Sequence, residues 1–197
     1  MPGEKNKVKF NIKNVHYAVI EEGGTFGTPV AMPGAVSLSL EQQGEITPFY
    51  ADGIVFYQSA SNGGYSGDLE VALVPDSFRK DVLQEEEDTN KVLFENANKN
   101  GKSFALGFQI DGDKEPTLFW FFNCTATRPN VESETTEDTK EPGTDTLTIS
   151  CAPDANGDVR AKTQTGVEEG IRTAWFSEVY EKNKEQRTKN RRKERTA

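Results

Sequence analysis

Residues 46–83 read ITPFYADGIVFYQSASNGGYSGDLEVALVPDSFRKDVL, and the reading of this stretch decides the fold class. Its first part is aromatic and turn-rich (Pro48, Phe49, Tyr50, Asp52, Gly53) and runs into Ile54, Val55, Phe56 and Tyr57. A Ser/Asn/Gly cluster at 59–64 interrupts it. Leu69, Val71 and Leu73 then alternate with Asp68, Glu70 and Ala72, the period-2 pattern of a strand with one buried face. Pro75-Asp76-Ser77 ends that strand and opens a short helix, with Asp76 or Ser77 as N-cap and Phe78, Val82 and Leu83 on its apolar side. Arg79, Lys80 and Asp81 are expected toward solvent. The stretch is a scaffold strand with an apolar arm attached, and it holds no bond-making chemistry.

Outward from it the same alternation recurs. Val15–Ile20 reads as a first strand and Val36, Leu38 and Leu40 as one face of a second. Phe104, Leu106, Phe108 and Ile110 alternate up to Asp111-Gly112, a hairpin turn signal. In 117–127, Leu118, Trp120, Phe122, Cys124 and Ala126 share one face while Phe119 and Phe121 make the other apolar. That strand is expected to be covered on both sides, one of them by a neighbouring subunit. Leu147, Ile149 and Cys151 form a returning strand, and 117–127 pairs antiparallel with 144–152 across a polar connection at 131–145. Ile171, Trp175 and Val179 predict a C-terminal helix over about 168–180, with a strand at Trp175-Phe176 as the alternative. The fold class is therefore mainly β: an antiparallel β-sandwich, barrel-like, with one short flanking helix and a long inter-strand loop.

With 197 residues and 34% hydrophobic content, the chain is long enough for one domain but lean for one that buries everything alone. Residues 1–180 are read as that domain, with 1–13 a lysine-rich arm ordered by a partner and 41–64 a long apolar arm or loop. Residues 181–197 hold eight Lys/Arg against three Asp/Glu, a net of +5, which leaves the body at −14. This segment lacks apolar residues before Ala197 and is expected to be a disordered basic tail. An acidic body disfavours contact with phosphate backbones. No stretch has the apolar core of a secretory signal or the length of a membrane span, so a soluble protein without membrane contact is expected.

The search for chemistry returns nothing catalytic. His16 is the only histidine, and its neighbours Val15, Tyr17 and Ala18 favour a packed or strand-edge role over a general base. Cys124 and Cys151 form no CxxC and are read as buried free thiols rather than a disulfide, and a zinc site is excluded for want of ligands. Gly23-Gly24-Thr25-Phe26-Gly27-Thr28 has no phosphate-reaching lysine and reads as a turn. Asp154-Ala155-Asn156-Gly157-Asp158 has its glycine one position too early for a calcium loop and also reads as a turn. The run Glu85-Glu86-Glu87-Asp88 reads as a solvated loop. Asn123-Cys124-Thr125, a glycosylation triplet, falls in an expected buried strand. No enzyme activity, cofactor or metal is expected.

Seven segments in order carry a family resemblance: Lys13–Ala18, Gly27–Val30, Pro33–Leu40, Thr47–Asp52, Gly64–Glu70, Asn123–Pro129 and Thr146–Ile149. Over about residues 10–180 the chain resembles the major tail proteins of long-tailed, non-contractile bacteriophages, of the phi13 type. The resemblance implies a tail-tube subunit of the virion, assembled in the host cytoplasm into stacked hexameric rings around a tape-measure protein. Tail-tip and terminator proteins would be further partners. The lumen would conduct DNA during ejection without sequence-specific binding. Phe49, Tyr50, Asp52, Phe56 and Tyr57 are the candidate subunit interface, the aromatics as anchors. The competing reading of those aromatics is that they cover their own sandwich. Glu132, Glu134, Glu137 and Asp138 are the candidate acidic lumen residues. Two other classes compete: a non-enzymatic β-sandwich adhesin-type binding module of the cell surface, and a nucleic-acid binder working through the basic tail.

Overall fold

The computed structural model describes residues 5–133, 135 and 142–182. It is mainly β, antiparallel throughout, with two short helices. The principal sheet runs in the order β2 (Val30–Ala31), β1 (Lys9–Val19), β9 (Phe104–Gly112), β10 (Thr117–Ala126), β11 (Asp145–Ala152), β6 (Gly64–Val71) and β3 (Ala35–Gln43). A further short strand, β12 (Arg160–Lys162), pairs with β10 at Phe119–Phe121. The sheet curls until β3 approaches β1, so that β1, β9 and β10 face β3, β6 and β11 across one core, the sandwich-like arrangement expected from the alternation.

That core contains Tyr17, Leu69, Val71, Phe104, Leu106, Phe119, Phe121, Leu147 and Ile149. One end is closed by α1 (Asp76–Asp81), whose Phe78 meets Tyr17 and Phe104 edge-on. Phe78, Val82 and Leu83 are buried as the spacing predicts. The helix begins one residue earlier than expected: Pro75 is the N-cap, with no side-chain capping bond. Proline has no N–H to lose there and its fixed φ suits entry into a helix. Tyr17 donates its hydroxyl to Asp81 at 2.9 Å, and burial, with that carboxylate alongside, pushes its phenol up to about 12.

Strand β10 is covered on both sides, but by its own chain. Leu118, Trp120 and Phe122 form a second apolar cluster with Ala18, Ala105, Trp175 and Val179. The covering segment begins with α2 (Glu169–Ala174), shorter than the helix expected over 168–180. Trp120 Nε1 donates to the Trp175 carbonyl at 2.9 Å, which fixes this layer on the sheet. A neighbouring subunit is therefore not what covers this face.

Several expectations are corrected by register. A shift in the β9–β10 pairing between Phe121 and Cys124 carries Cys124 off the Leu118/Trp120/Phe122 face and into the main core. A similar shift between Ala35 and Ser37 turns Val36 out to solvent. Strand β6 ends at Val71, so Leu73 is exposed, and Val74 takes the next buried place. Of the lysine-rich segment read as an arm, residues 9–13 are the start of β1, where Lys9 pairs with Gly112 and Ile12 with Ile110, and residues 5–8 lead into it. Asn6 binds the 114–115 turn through both ends of its amide.

Glu85–Asp88 is not a free acidic loop. Glu85 is buried against Arg79, Glu86 pairs with Lys99 and Glu87 with Lys80, while Asp88 accepts the N–H groups of Asn90 and Val92. Glu86–Glu87 forms β7, paired with β8 (Leu93–Phe94). The turn expected at 154–158 is present, closed by Asp154 Oδ1 accepting from the N–H groups of Asn156 and Asp158. Strands β10 and β11 pair antiparallel through Asn123–Ala126.

Candidate subunit interface

The apolar arm is a β-ribbon, not a loop. Its strands β4 (Ile46–Ala51) and β5 (Ile54–Ala60) form a separate two-stranded sheet. They are joined by Asp52-Gly53, both at positive φ (53° and 78°), the backbone a two-residue hairpin turn requires and glycine and aspartate tolerate. The ribbon continues the β3–β6 pair. Between the two halves, Gly63 N–H donates to Gln43 O at 2.6 Å and Ser61 N–H to Glu45 O at 2.9 Å. Glu45 N–H in turn donates to Ser61 Oγ at 2.9 Å. Gly44 sits at this junction because a Cβ would meet the Ser61 carbonyl at 2.3 Å. Residues 35–71 are thus one long hairpin, its near half packed on the core and its far half free.

All five predicted interface residues are brought together on that far half. Phe49 lies opposite Tyr57, Tyr50 opposite Val55, and the register shift between these pairs leaves Phe56 as the extra residue. Asp52 is at the tip. Phe49, Tyr50, Phe56 and Tyr57 are each 60–70% exposed, and Ile46 and Ile54 are also in solvent. The aromatics therefore do not cover their own sandwich. A two-stranded hairpin is marginal in water by itself, and burying four such side chains contributes about 1.5–3 kcal/mol apiece. Both faces of the ribbon are apolar and exposed, which suits contact with another protein surface.

The residues read as acidic lumen candidates fare differently. Glu132 is exposed and accepts from Asn130 Nδ2 at 3.1 Å. Glu134, Glu137 and Asp138 lie outside the described residues. A second acidic surface, missed in the sequence, is the outer face of β3–β6–β11. Cross-strand pairing aligns Ser37, Glu70 and Thr146 in one row and Ser39, Asp68 and Thr148 in the next. Glu41, Ser66 and Ser150 make a third. Each row carries one carboxylate among hydroxyls, and none carries a cation. Thr148 donates to Asp68 at 2.8 Å, Thr144 to Glu70 at 2.7 Å and Ser37 to Glu70 at 2.8 Å. The Thr144 hydroxyl, then that of Ser37, holds the Glu70 carboxyl below the usual carboxylate range. The signal was present as three outward triplets, S-x-S-x-E at 37–41, S-x-D-x-E at 66–70 and T-x-T-x-S at 146–150.

His16 stacks on Phe176 with ring centroids 4.6 Å apart and its Nδ1 lies 2.8 Å from the Asn14 carbonyl. Cys124 and Cys151 are free, buried cross-strand neighbours with sulfurs 3.0 Å apart, and burial pushes the Cys124 thiol up. Among the described residues no group of three His, Cys, Asp or Glu side chains is placed to hold a metal ion, and no helix is long and apolar enough to cross a membrane. No family model matches the chain, and no curated protein matches it significantly.

Proposed function

We propose that this chain is a structural subunit that polymerises through the β4–β5 ribbon, and that the polymer is the tail tube of a long, non-contractile bacteriophage tail. The observation that carries the proposal is the ribbon itself: an ordered hairpin with aromatic side chains on both faces and no place to bury them on its own body. The seven segments that resemble major tail proteins choose the kind of polymer, stacked hexameric rings around a tape-measure protein. We assign the β3–β6–β11 face to the lumen. Its carboxylates repel a passing phosphate backbone, and its rows hold no cation to retain one. Under this reading the protein is not an enzyme, and DNA crosses the lumen without being read.

The test is negative-stain electron microscopy of the purified chain at high concentration, with light scattering for mass. Rings or tubes with a central hole are the expected result. A chain that stays monomeric even when tape-measure and tail-tip proteins are added overturns the proposal.

A further inference from the structure

Apart from the ribbon, the body carries a second surface whose chemistry complements it. Residues 5–13 hold Lys5, Lys7, Lys9 and Lys13 and no acid. Their hydrophobic members Val8 and Phe10 are more than half exposed. A shallow groove beside them has Val8, Ile110 and Phe119 for its apolar part and Lys7, Lys9 and Lys162 at its rim. One acid, Asp111, lines it and is already paired with Lys13 at 2.6 Å. Asp113, on the adjoining turn, accepts the backbone N–H groups of Lys7 and Val8. Lys5, Lys7 and Lys9 make no side-chain ion pair among the described residues.

The ribbon has the opposite character. Residues 41–64 carry Glu41, Glu45 and Asp52 and no Lys or Arg, and Asp52 stands at the tip between exposed Tyr50 and Ile54. An apolar groove rimmed with lysines fits an apolar segment tipped with a carboxylate. It does not fit the ribbon's own neighbours on the β3–β6–β11 face, which are acidic.

We infer that the ribbon tip of one copy docks in the Val8/Phe119 groove of a second copy, with Asp52 facing the lysines of residues 5–9. The inference rests on the assembly reading and names its partner surface. It also gives Lys5, Lys7 and Lys9 a use that strand pairing does not explain. Opposite charges at the rim of such a contact set its register and speed, while the aromatic burial holds it.

The experiment places a photo-cross-linking amino acid at Phe56 of the full chain, irradiates a concentrated solution, and maps the products by mass spectrometry. Cross-links from Phe56 to residues 5–13 or 162 of a second copy are expected. The charge-reversed variant Lys7→Glu/Lys9→Glu should lose them and raise the concentration needed for assembly about tenfold, the effect of removing two surface pairs. Adding Asp52→Lys to that variant should restore both. Cross-links to another copy that map elsewhere overturn this docking and leave the assembly reading standing. A chain that stays monomeric and cross-links only within itself, with tape-measure and tail-tip proteins added, overturns both. Cross-links from Phe56 to added tape-measure protein, with none between copies, overturn the docking alone.

Discussion

Strand β10 and the β4–β5 ribbon are alike in their aromatic content and opposite in their fates. Both are rich in aromatic residues on both faces. In β10 each face has its cover: the main core takes Phe119 and Phe121, and the C-terminal segment takes Leu118, Trp120 and Phe122. In the ribbon neither face has a cover, and Phe49, Tyr50, Phe56 and Tyr57 stand in solvent. The difference lies in what else the chain supplies. Trp175 and Val179 are spent on β10, and the near half of the long hairpin holds the ribbon clear of the body. Double-sided hydrophobicity therefore marks a buried strand in one case and a solvent-exposed ribbon in the other.

The comparison is most exposed to failure at Trp120. Trp120→Ala leaves a cavity between two layers and removes the bond to the Trp175 carbonyl, so a loss of about 3–5 kcal/mol is expected in chemical denaturation. A loss under about 1 kcal/mol would mean that the C-terminal layer is not integral to the fold. Gly107→Ala comes next. Its Cβ would meet the Trp120 indole at 2.7 Å, across the β9–β10 pair, and about 1–3 kcal/mol should be lost as the ring shifts. Near-UV circular dichroism, which reports the indole's setting, should change with it.

Tyr17→Phe probes the core by pH. The phenol's folded value lies near 12, above its ordinary 10, so the folded state holds that proton more tightly than the unfolded chain. Its contribution is full below about pH 10 and is lost as pH rises from there toward 12. The wild type should lose stability across that window and Tyr17→Phe should lose less, as read by urea midpoints at stepped pH. The smallest effect belongs to the ribbon. Phe49→Ala/Tyr57→Ala should move the monomer's denaturation midpoint by no more than about 0.5 kcal/mol, yet abolish the assemblies seen by electron microscopy. A large stability loss in that variant would mean that the ribbon packs on its own body and would erase the contrast with β10.

Much of this was legible because period-2 alternation is a local property. Leu147, Ile149 and Cys151 face the core as their spacing says, whereas Asp52-Gly53 reads only as part of a turn-rich arm although it closes the ribbon's hairpin. The misses share a cause. Cys124, Val36 and Leu73 all depend on where a register shifts or a strand stops, which the partner strand decides rather than the residue itself. The lysines of 9–13 read as unstructured because strand edges that bury only backbone leave no hydrophobic signature. The acidic rows on β3–β6–β11 stayed hidden because they come from three segments far apart in the chain, and only pairing makes them neighbours. The aromatic arm is legible for the converse reason, that all its residues are contiguous, although its pairing into a ribbon is not.

The junction at Gly44 and Gly63 has a kinetic consequence. Because β3 and β6 are already zipped against the core, the strands beyond them enter β4–β5 with their register set before any partner arrives. A flexible apolar loop would have to order some fifteen residues on binding, at roughly 1–2 kcal/mol of backbone entropy each. The ribbon is preorganised, so encounter with a complementary surface need only remove water. The same splint keeps the two sticky strands in register with each other rather than with a stranger's, which guards against the edge-to-edge mispairing that exposed β-strands invite.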